Sequence, residues 1–293
     1  MLTSFDGGRL FGQVHGSGAP RVLALHGWRR DHRDFALVLD GEPTPPADST
    51  ATSGDQASDP SRDLRSRDDL ALPATPLRAV SLDLPGFGAT PAPEEVWGAL
   101  DYAAAVAPVL EVMEAPVVLV GHSFGGRVAV HLAAEHAERV GGVLLSGSPL
   151  FRAPEATRRR PPFPLRMAKT LARTGLVSDA RLEALRQRHG SPDYRAATGV
   201  MRDVLVRSIA EEWDEAYSAS LKAIDCPVEL VWGALDTAVP VSVAERIAST
   251  IPGPTRLEVL PGVGHLTPLV VPGHLRAALD RLVVGEPDTA RDR

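Results

Sequence analysis

The sequence predicts an α/β fold built on a doubly wound, mostly parallel sheet. Short apolar runs recur along the chain, and segments of helical character separate them. Such runs are typical of strands buried on both faces, and a sheet of this kind needs helices on each side. With 293 residues, 44% of them hydrophobic, the chain is long enough for one large domain of this class.

The strands are predicted in chain order from these runs. Residues 9–14 alternate between apolar and polar side chains and predict an early strand that turns at Gly16-Ser17-Gly18. The later, compact runs are Val22–Leu25, Ala79–Leu82, Val117–Val120, Val143–Leu145, Val228–Val231 and Leu257–Leu260. Apolar residues at helical spacing predict helices over residues 94–113, 125–136, 241–249 and 274–284.

Two segments interrupt the alternation of strands and helices. Residues 41–77 are rich in Pro, Asp, Ser and Thr and contain no aromatic residue, which predicts a disordered insertion outside the core. Residues 149–224 lie between two predicted strands and are helical in character, which predicts a helical lid. We therefore assign residues 1–148 and 225–284 to the core and residues 285–293 to a polar tail.

Composition narrows the class of protein. A formal net charge of −6 argues against a nucleic-acid partner, which would need a basic face. Cys226 is the single cysteine, so no disulfide can form within the chain. The N-terminus has no apolar signal-peptide core, and no stretch approaches the roughly 20 apolar residues of a membrane span. We expect a cytoplasmic protein without a membrane partner.

The strongest chemical signal is the segment Gly121-His122-Ser123-Phe124-Gly125, which has the pattern G-x-S-x-G. The pattern is short, but here it directly follows an apolar run and directly precedes a helical pattern. A serine at such a corner projects its hydroxyl clear of the sheet, and the helix N-terminus favours developing negative charge. A nucleotide-binding turn is disfavoured, because no phosphate-cradling G-x-G-x-x-G is present.

Four further motifs extend this signal into a resemblance to the α/β-hydrolase superfamily. They are Leu25-His26-Gly27-Trp28, Asp83-Leu84-Pro85-Gly86-Phe87-Gly88, Trp232-Gly233-Ala234-Leu235-Asp236 and Gly262-Val263-Gly264-His265. Each motif alone is weak evidence for this superfamily, whereas all five in the order that the superfamily shows are specific to it. The resemblance runs from about residue 9 to residue 284, with residues 41–77 as an unmatched insertion. It implies the α/β-hydrolase fold with an inserted lid, and we expect neither a cofactor nor a metal.

The candidate nucleophile, Ser123, needs an adjacent base, and nine histidines compete for that role. His265 is the candidate because it lies in a glycine-rich loop after the last strand, at the sheet edge where open α/β folds build sites. His26 is expected to brace its own turn and His122 to point away from the nucleophile. His131 and His136 are assigned to packing or surface roles.

The acid that orients the base is predicted to be Asp236. It follows the strand Val228–Val231 and completes the chain order Ser, Asp, His expected of this fold. Asp225 stands before that strand, at the wrong edge of the sheet, and Asp83 is expected to hold its own turn. Some family members carry the acid after the preceding strand, where this chain reads Ser146-Gly147-Ser148-Pro149 and has none.

The resemblance assigns the oxyanion hole to the backbone N–H groups of Trp28 and Phe124. The Trp28 indole has two open roles, as a wall of the acyl pocket or in plain packing. The implied activity is hydrolysis of a small carboxylic ester through an acyl-enzyme. Ser123 disfavours dehalogenase and epoxide hydrolase chemistry, which use an aspartate there, and His122 with Leu266 weakens carbon–carbon bond hydrolysis.

Several alternatives share the same residues and stay open from the sequence. They are perhydrolase or haloperoxidase, lactonase, thioesterase and aminopeptidase activity, and a non-catalytic receptor that binds a small molecule under the lid. A fold of this kind supports many chemistries, so the site rather than the fold must decide between them. The sequence indicates neither the physiological substrate nor the oligomeric state.

Overall fold

The structure, a computed structural model, describes residues 1–41, 70, 72–73, 75–153, 178, 188, 192–211 and 216–284. The predicted disorder of the insertion falls almost wholly on residues outside these ranges, as does the predicted tail 285–293. The first half of the predicted lid also lies largely outside them.

An eight-stranded sheet forms the centre of the described chain. Its strands are β1 Leu2–Phe5, β2 Leu10–His15, β3 Val22–Leu25, β4 Ala79–Asp83, β5 Val117–His122, β6 Val140–Ser146, β7 Val228–Gly233 and β8 Thr255–Leu260. Their order across the sheet is β1-β2-β4-β3-β5-β6-β7-β8. The β1–β2 and β2–β4 pairs are antiparallel, whereas all pairs from β4 to β8 are parallel. The predicted, mostly parallel sheet is confirmed.

Helices cover both faces of this sheet. They are α1 Ala36–Asp40, α2 Ala99–Glu111, α3 Phe124–Glu135, α4 Pro192–Ala196, α5 Gly199–Glu211, α6 Ala216–Lys222, α7 Val241–Thr250, α8 Thr267–Val270 and α9 Pro272–Val284. Short 3₁₀ turns lie at Asp6–Gly8 and His32–Phe35. No helix among the described residues is both long and apolar enough to cross a bilayer.

Strand β3 shows why the predicted strands are continuously apolar. Leu23 and Leu25 point into one buried cluster, which includes side chains of α2 and α3. Val22 and Ala24 point into a second cluster on the opposite face, which includes side chains of α1 and α9. Because successive strand residues face opposite sides, both faces of the sheet need apolar residues. The doubly wound arrangement is therefore confirmed.

Some element boundaries differ from the sequence prediction. Strand β1 was not predicted, because it lies at the sheet edge with mostly exposed side chains and so carries no apolar run. The helix predicted from residue 94 begins only at Ala99, where the Asp101 carboxylate accepts a hydrogen bond from the Gly98 N–H at 2.7 Å. A side chain that caps the first turn in this way marks the start of a helix.

Within residues 149–224 the structure describes three helices, α4, α5 and α6, and the latter two pack on α3. Arg127 of α3 is buried and donates from Nη1 to the Ser208 carbonyl and hydroxyl oxygens of α5, the latter at 2.7 Å. His131, one turn further along α3, lies with its Nδ1 3.0 Å from Ser220 Oγ of α6. These contacts fix α5 and α6 to the helix that directly follows Ser123.

Candidate active site

Ser123 occupies a sharp corner between β5 and α3. Its backbone has φ +52° and ψ −115°, which is strained for a residue with a side chain. The Ser123 N–H donates to the Ser146 carbonyl at 2.8 Å and ties this corner to the end of β6. A Cβ on Gly121 would lie 2.5 Å from Gly126 Cα, and one on Gly125 would overlap the Leu25 carbonyl oxygen. Only glycine fits at positions 121 and 125, two residues before and after the serine.

His265 lies beside Ser123 in the loop between β8 and α8. Its Nε2 is 3.1 Å from Ser123 Oγ, and its Nδ1 is 2.7 Å from Asp236 Oδ2. Because a carboxylate only accepts, Nδ1 carries the proton and donates to Asp236. Nε2 is then free to accept the hydrogen of the Ser123 hydroxyl. The structure thus brings together the three residues predicted as nucleophile, base and acid.

Asp236 is held in place from several directions. Its side chain is 1% exposed. Its Oδ1 accepts hydrogen bonds from the backbone N–H groups of Ala238 at 2.9 Å and Val239 at 2.8 Å. With Oδ2 bound to His265, both carboxylate oxygens have donors, which is what a buried charge requires. The carboxylate can therefore orient the imidazole without turning away from it.

The two rival aspartates lie in other environments. Asp225 precedes β7, and its carbonyl oxygen borders Gly253 before β8, so it sits at the amino ends of these strands. Asp83 is fully buried and accepts at Oδ1 from the His32 N–H and His32 Nδ1, both at 2.8 Å. Its Oδ2 accepts from the Ala89 N–H at 2.9 Å. Asp83 therefore holds its turn, as the sequence predicted.

One group of side chains has the composition of a metal site. Ligand atoms of Asp31, His32 and Asp83 lie within 4.8 Å of one another. Each already has protein partners: Asp83 binds His32, and Arg33 pairs with Asp31 at 2.6 Å. The Arg33 guanidinium, together with the Arg33 N–H, lowers the pKa of Asp31 to about 2. These carboxylates are committed to protein donors, so the cluster is better explained as a brace for the turn.

His26 braces the loop that carries the predicted oxyanion hole. It is fully buried, and its Nδ1–H donates to the Gly27 carbonyl at 2.8 Å while its Nε2 accepts from the Leu84 N–H at 3.0 Å. Burial lowers the pKa of His26, consistent with this neutral tautomer. Since the peptide bond is planar and trans, drawing the Gly27 carbonyl toward His26 turns the Trp28 N–H the opposite way.

The Trp28 and Phe124 amides both belong to segments that flank Ser123. A Cβ on Gly27 would lie 3.2 Å from Ser123 Cβ, so the loop that ends at Trp28 touches the nucleophile. Phe124 is the first residue of α3, whose amide has no acceptor within the helix. Within the described residues, neither amide donates to another protein atom. Two backbone donors therefore remain available beside the serine.

Two neighbours of the base were given no part in the site from the sequence. His122 was expected to point away from Ser123; its Nδ1–H donates to the Ser146 carbonyl at 3.1 Å, and its ring lies 5.0 Å from the His265 ring. Burial, reinforced by the nearby His265, holds the pKa of His122 well below its usual range, so it stays neutral there. Gly147 was noted only because its loop lacks an acid. It has φ +54° and borders both His265 and Asp236.

A cavity of about 760 Å³ lies apart from these residues. It is bounded by the turn at Asp6, by α2 and by the loop before α2, including Trp97. Its lining includes none of Ser123, Asp236 and His265. The hydrogen-bonded chemistry at Ser123, rather than the size of this cavity, therefore marks the candidate active site.

The fold and the strand–serine–helix corner define the class of α/β hydrolases. The chain belongs to the alpha/beta hydrolase family, whose profile matches residues 15–278. The resemblance inferred from the five motifs is thereby confirmed.

The individual relatives described next share 21–30% sequence identity with this chain. The pimeloyl-[acyl-carrier protein] methyl ester esterase of Aromatoleum aromaticum is 30% identical over 235 residues, which cover 73% of this chain and 90% of that protein. The 2-hydroxymuconate semialdehyde hydrolase of Pseudomonas sp. strain CF600 is 27% identical over 208 residues, covering 65% and 70%. A solved structure, a thermophilic esterase from Thermogutta terrifontis, gives a TM-score of 0.58 at 21% identity and covers 97% of this chain and 98% of its own. At that identity the likeness concerns the fold.

Proposed function

We propose that this protein is a serine hydrolase that cleaves a small carboxylic ester through an acyl-enzyme. Ser123 is the nucleophile, His265 the base and Asp236 the acid that orients it. The observation that carries the proposal is the continuous hydrogen-bonded line from Ser123 Oγ through His265 to Asp236, with distances of 3.1 and 2.7 Å. The proposal is supported by the similarity to the methyl ester esterase of A. aromaticum, whose alignment covers 73% of this chain and 90% of that protein.

In acylation, His265 Nε2 takes the hydroxyl proton as Ser123 Oγ attacks the ester carbonyl carbon. The imidazolium that forms carries its charge next to the Asp236 carboxylate, which stabilises it. Negative charge develops on the carbonyl oxygen, and the N–H groups of Trp28 and Phe124 stabilise it by donating hydrogen bonds. Loss of one such donor typically costs about 10²–10³ in rate. The tetrahedral intermediate then collapses, and His265 returns the proton to the leaving alcohol.

Deacylation repeats these steps with water as the nucleophile. His265 takes a proton from the water that attacks the acyl-enzyme, and Ser123 Oγ leaves and is reprotonated. His122 supports this cycle because it is neutral, and so adds no second positive charge beside the transient imidazolium. Gly147 supports it by leaving room for the ring.

We further propose that α4, α5 and α6 form part of a lid over this site, with a small-molecule substrate beneath it. Arg29, next to Trp28, pairs with Asp193 of α4 at 3.4 Å. A Cβ on Gly86 would overlap the side chain of Met201 on α5, so α5 reaches the turn after β4. Both contacts lie at the end of the sheet that carries Ser123. A cytoplasmic location stays a prediction from the sequence.

The test combines an activity-based label with hydrolysis of p-nitrophenyl esters. Wild-type protein is expected to form a fluorophosphonate adduct on Ser123 and to hydrolyse p-nitrophenyl acetate or butyrate. Ser123→Ala and His265→Ala should remove both reactions while the thermal unfolding midpoint stays close to wild type. Matched controls are Ser249→Ala on α7 and His136→Ala at the end of α3, which should leave turnover unchanged.

Other outcomes would favour the alternative functions of this site. A folded wild-type protein that is inert to the label and hydrolyses no ester would favour a receptor. Turnover of a lactone, a thioester or a ring-cleavage product in preference to simple esters would keep the triad and replace the substrate class. Full activity of Ser123→Ala would overturn the nucleophile assignment.

A further inference from the structure

The indole of Trp28 contains an unusual polar atom. Its Nε1 is enclosed, and it finds no hydrogen-bond acceptor among the protein atoms that the structure describes. The ring itself packs edge-to-face, with ring centroids 5.0 Å from Phe87 and 5.4 Å from Phe124. A buried N–H without an acceptor is costly, so it calls for an explanation.

Trp232 provides an internal comparison. Its indole is completely buried, and its Nε1–H donates to the Val239 carbonyl at 2.8 Å. This is the usual arrangement for a buried tryptophan, because the ring can pack on apolar groups only if its N–H is satisfied. The chain therefore satisfies the Trp232 indole, where packing alone is at stake, whereas the described residues offer no acceptor to the Trp28 indole next to Ser123.

The position of Trp28 assigns its indole to one part of the substrate. The loop ending at Trp28 touches Ser123 through Gly27, and the Trp28 ring contacts Phe124, the residue after the nucleophile. His265 lies against Gly147 and His122 instead. Because the leaving alcohol must face His265 to receive its proton, the group that runs along Trp28 is the acyl chain.

We propose that a bound substrate displaces the contacts that enclose the Trp28 Nε1–H, which then donates a hydrogen bond to a neutral oxygen on the acyl chain of the substrate. The preferred ester then carries an ether, hydroxyl or carbonyl oxygen along an otherwise apolar acyl group. A carboxylate is disfavoured because the surrounding Phe87 and Phe124 rings could not stabilise a buried charge with a single N–H donor. This inference rests on the hydrolase function proposed above and specifies its substrate class.

The test compares matched esters with and without the oxygen. Suitable pairs are p-nitrophenyl methoxyacetate with p-nitrophenyl butyrate, and p-nitrophenyl 3-methoxypropanoate with p-nitrophenyl valerate. Within each pair the chain length is the same, and the second pair places the ether oxygen one atom further from the ester. For each pair, kcat/KM of the ether ester is divided by that of the alkyl ester. Dividing the wild-type ratio by the variant ratio cancels the intrinsic reactivity of the two esters.

Trp28→Phe keeps an aromatic ring and removes the donor. Its smaller ring affects both esters of a pair, so that change largely cancels in the ratio and the variant is informative about the hydrogen bond. We expect its ether preference to fall about tenfold relative to wild type at one ether position, the size of one hydrogen bond. The control Trp97→Phe changes an indole outside the site, and its ratio should equal that of wild type. An unchanged ratio in Trp28→Phe at every position, or an equal fall in Trp97→Phe, overturns the proposal.

Wild-type protein provides a second readout that needs no variant. The four indoles can be labelled with ¹⁵N, and Ser123 can be converted to an alkyl or an alkoxyalkyl phosphonate adduct. A downfield shift of one indole N–H in the alkoxyalkyl adduct alone supports the bond, whereas identical indole spectra overturn it. If no ester is hydrolysed and no adduct forms, the hydrolase function itself fails, which is a distinct result.

Discussion

Gly147 lies directly against the imidazole of His265. A Cβ built on Gly147 would be 2.9 Å from His265 Cε1 and 3.0 Å from Nδ1, too close for either ring atom. The Cβ built on Gly147 would also lie 3.3 Å from Asp236 Oδ2. The absence of a side chain at position 147 is therefore part of what lets the imidazole stand between Ser123 and Asp236.

Gly147→Ala is expected to impair catalysis beyond its effect on stability. Displacing the ring by a few tenths of an ångström should lower kcat for p-nitrophenyl butyrate by about 10- to 100-fold. The left-handed backbone at φ +54° should also cost roughly 1–2 kcal/mol of unfolding free energy. The control Gly199→Ala has φ +52° and no heavy atom within 4 Å, so it should lose similar stability and keep kcat. Equal kcat values for the two variants would contradict the role of Gly147.

Asp236→Asn is expected to reduce kcat by about 10³–10⁴ while leaving more activity than Ser123→Ala. An asparagine amide no longer supplies the negative charge that stabilises the His265 imidazolium, and it can hold the ring in the wrong tautomer. Asp225→Asn is the matched control, because Asp225 lies at the amino end of β7. Initial rates for both variants, measured with saturating ester, check this prediction. A fully active Asp236→Asn would show that another group orients the base.

Stability should fall as the pH drops below about 6.5, the ordinary pKa of histidine. Burial lowers the pKa of both His26 and His122 in the folded chain, with the charge of His265 adding to the effect on His122. The unfolded chain then binds protons that the folded chain does not. The contribution of these two histidines to the free energy of unfolding is therefore fully present above pH 6.5. It is lost as the pH falls toward their lowered pKa values in the folded chain.

Urea unfolding between pH 7.5 and 5 measures this effect, at pH values set by the histidine range. His26 and His122 should each contribute a slope of about 1.4 kcal/mol per pH unit within the window between the unfolded and folded pKa of that histidine. His122→Asn should reduce the slope by the share of one histidine. A variant with the wild-type slope would mean that His122 takes up its proton equally in both states.

Arg127 is expected to hold α5 on α3. Arg127→Met removes the donor to the Ser208 carbonyl and hydroxyl, which should cost about 1.5–3 kcal/mol of unfolding free energy and raise KM. Arg207→Met is the control on α5, because its side chain is 48% exposed and its ion pairs with Asp101 and Glu211 are worth little. Guanidinium unfolding and ester kinetics compare the two. Similar losses in both variants would argue against a special role for Arg127.

The parts of the fold that were predicted share one physical property. Strands such as Val22–Leu25 and Val117–Val120 are buried on both faces, so their composition alone distinguishes them. Strand β1 escaped prediction because an exposed edge strand is defined by its pairing with β2 rather than by apolar residues. The start of α2 likewise depends on side-chain contacts with two backbone N–H groups, from Asp101 to that of Gly98 and from Glu211 to that of Ala99.

The candidate site divides in the same way. Ser123, Asp236 and His265 could be named because each lies in a motif at the carboxyl end of a strand, where the fold gathers its loops. The contact of His122 with the base could not be predicted, because its direction depends on the Ser146 carbonyl contributed by the neighbouring strand. Gly147 carries no chemistry of its own and becomes visible only through its distance from His265.

By itself, the sequence determined the class of fold, the family and the residue types that could perform the reaction, because these follow from local patterns of burial and from motifs of adjacent residues. The tertiary structure alone decided which way each side chain points. The tautomer of His265 and the neutral state of His122 depend on atoms contributed by segments far apart in the chain. The same holds for the enclosure of the Trp28 N–H, which has no acceptor among the described residues. Hydrogen bonds and desolvation act over a few ångströms in space, and no pattern of neighbouring residues encodes them.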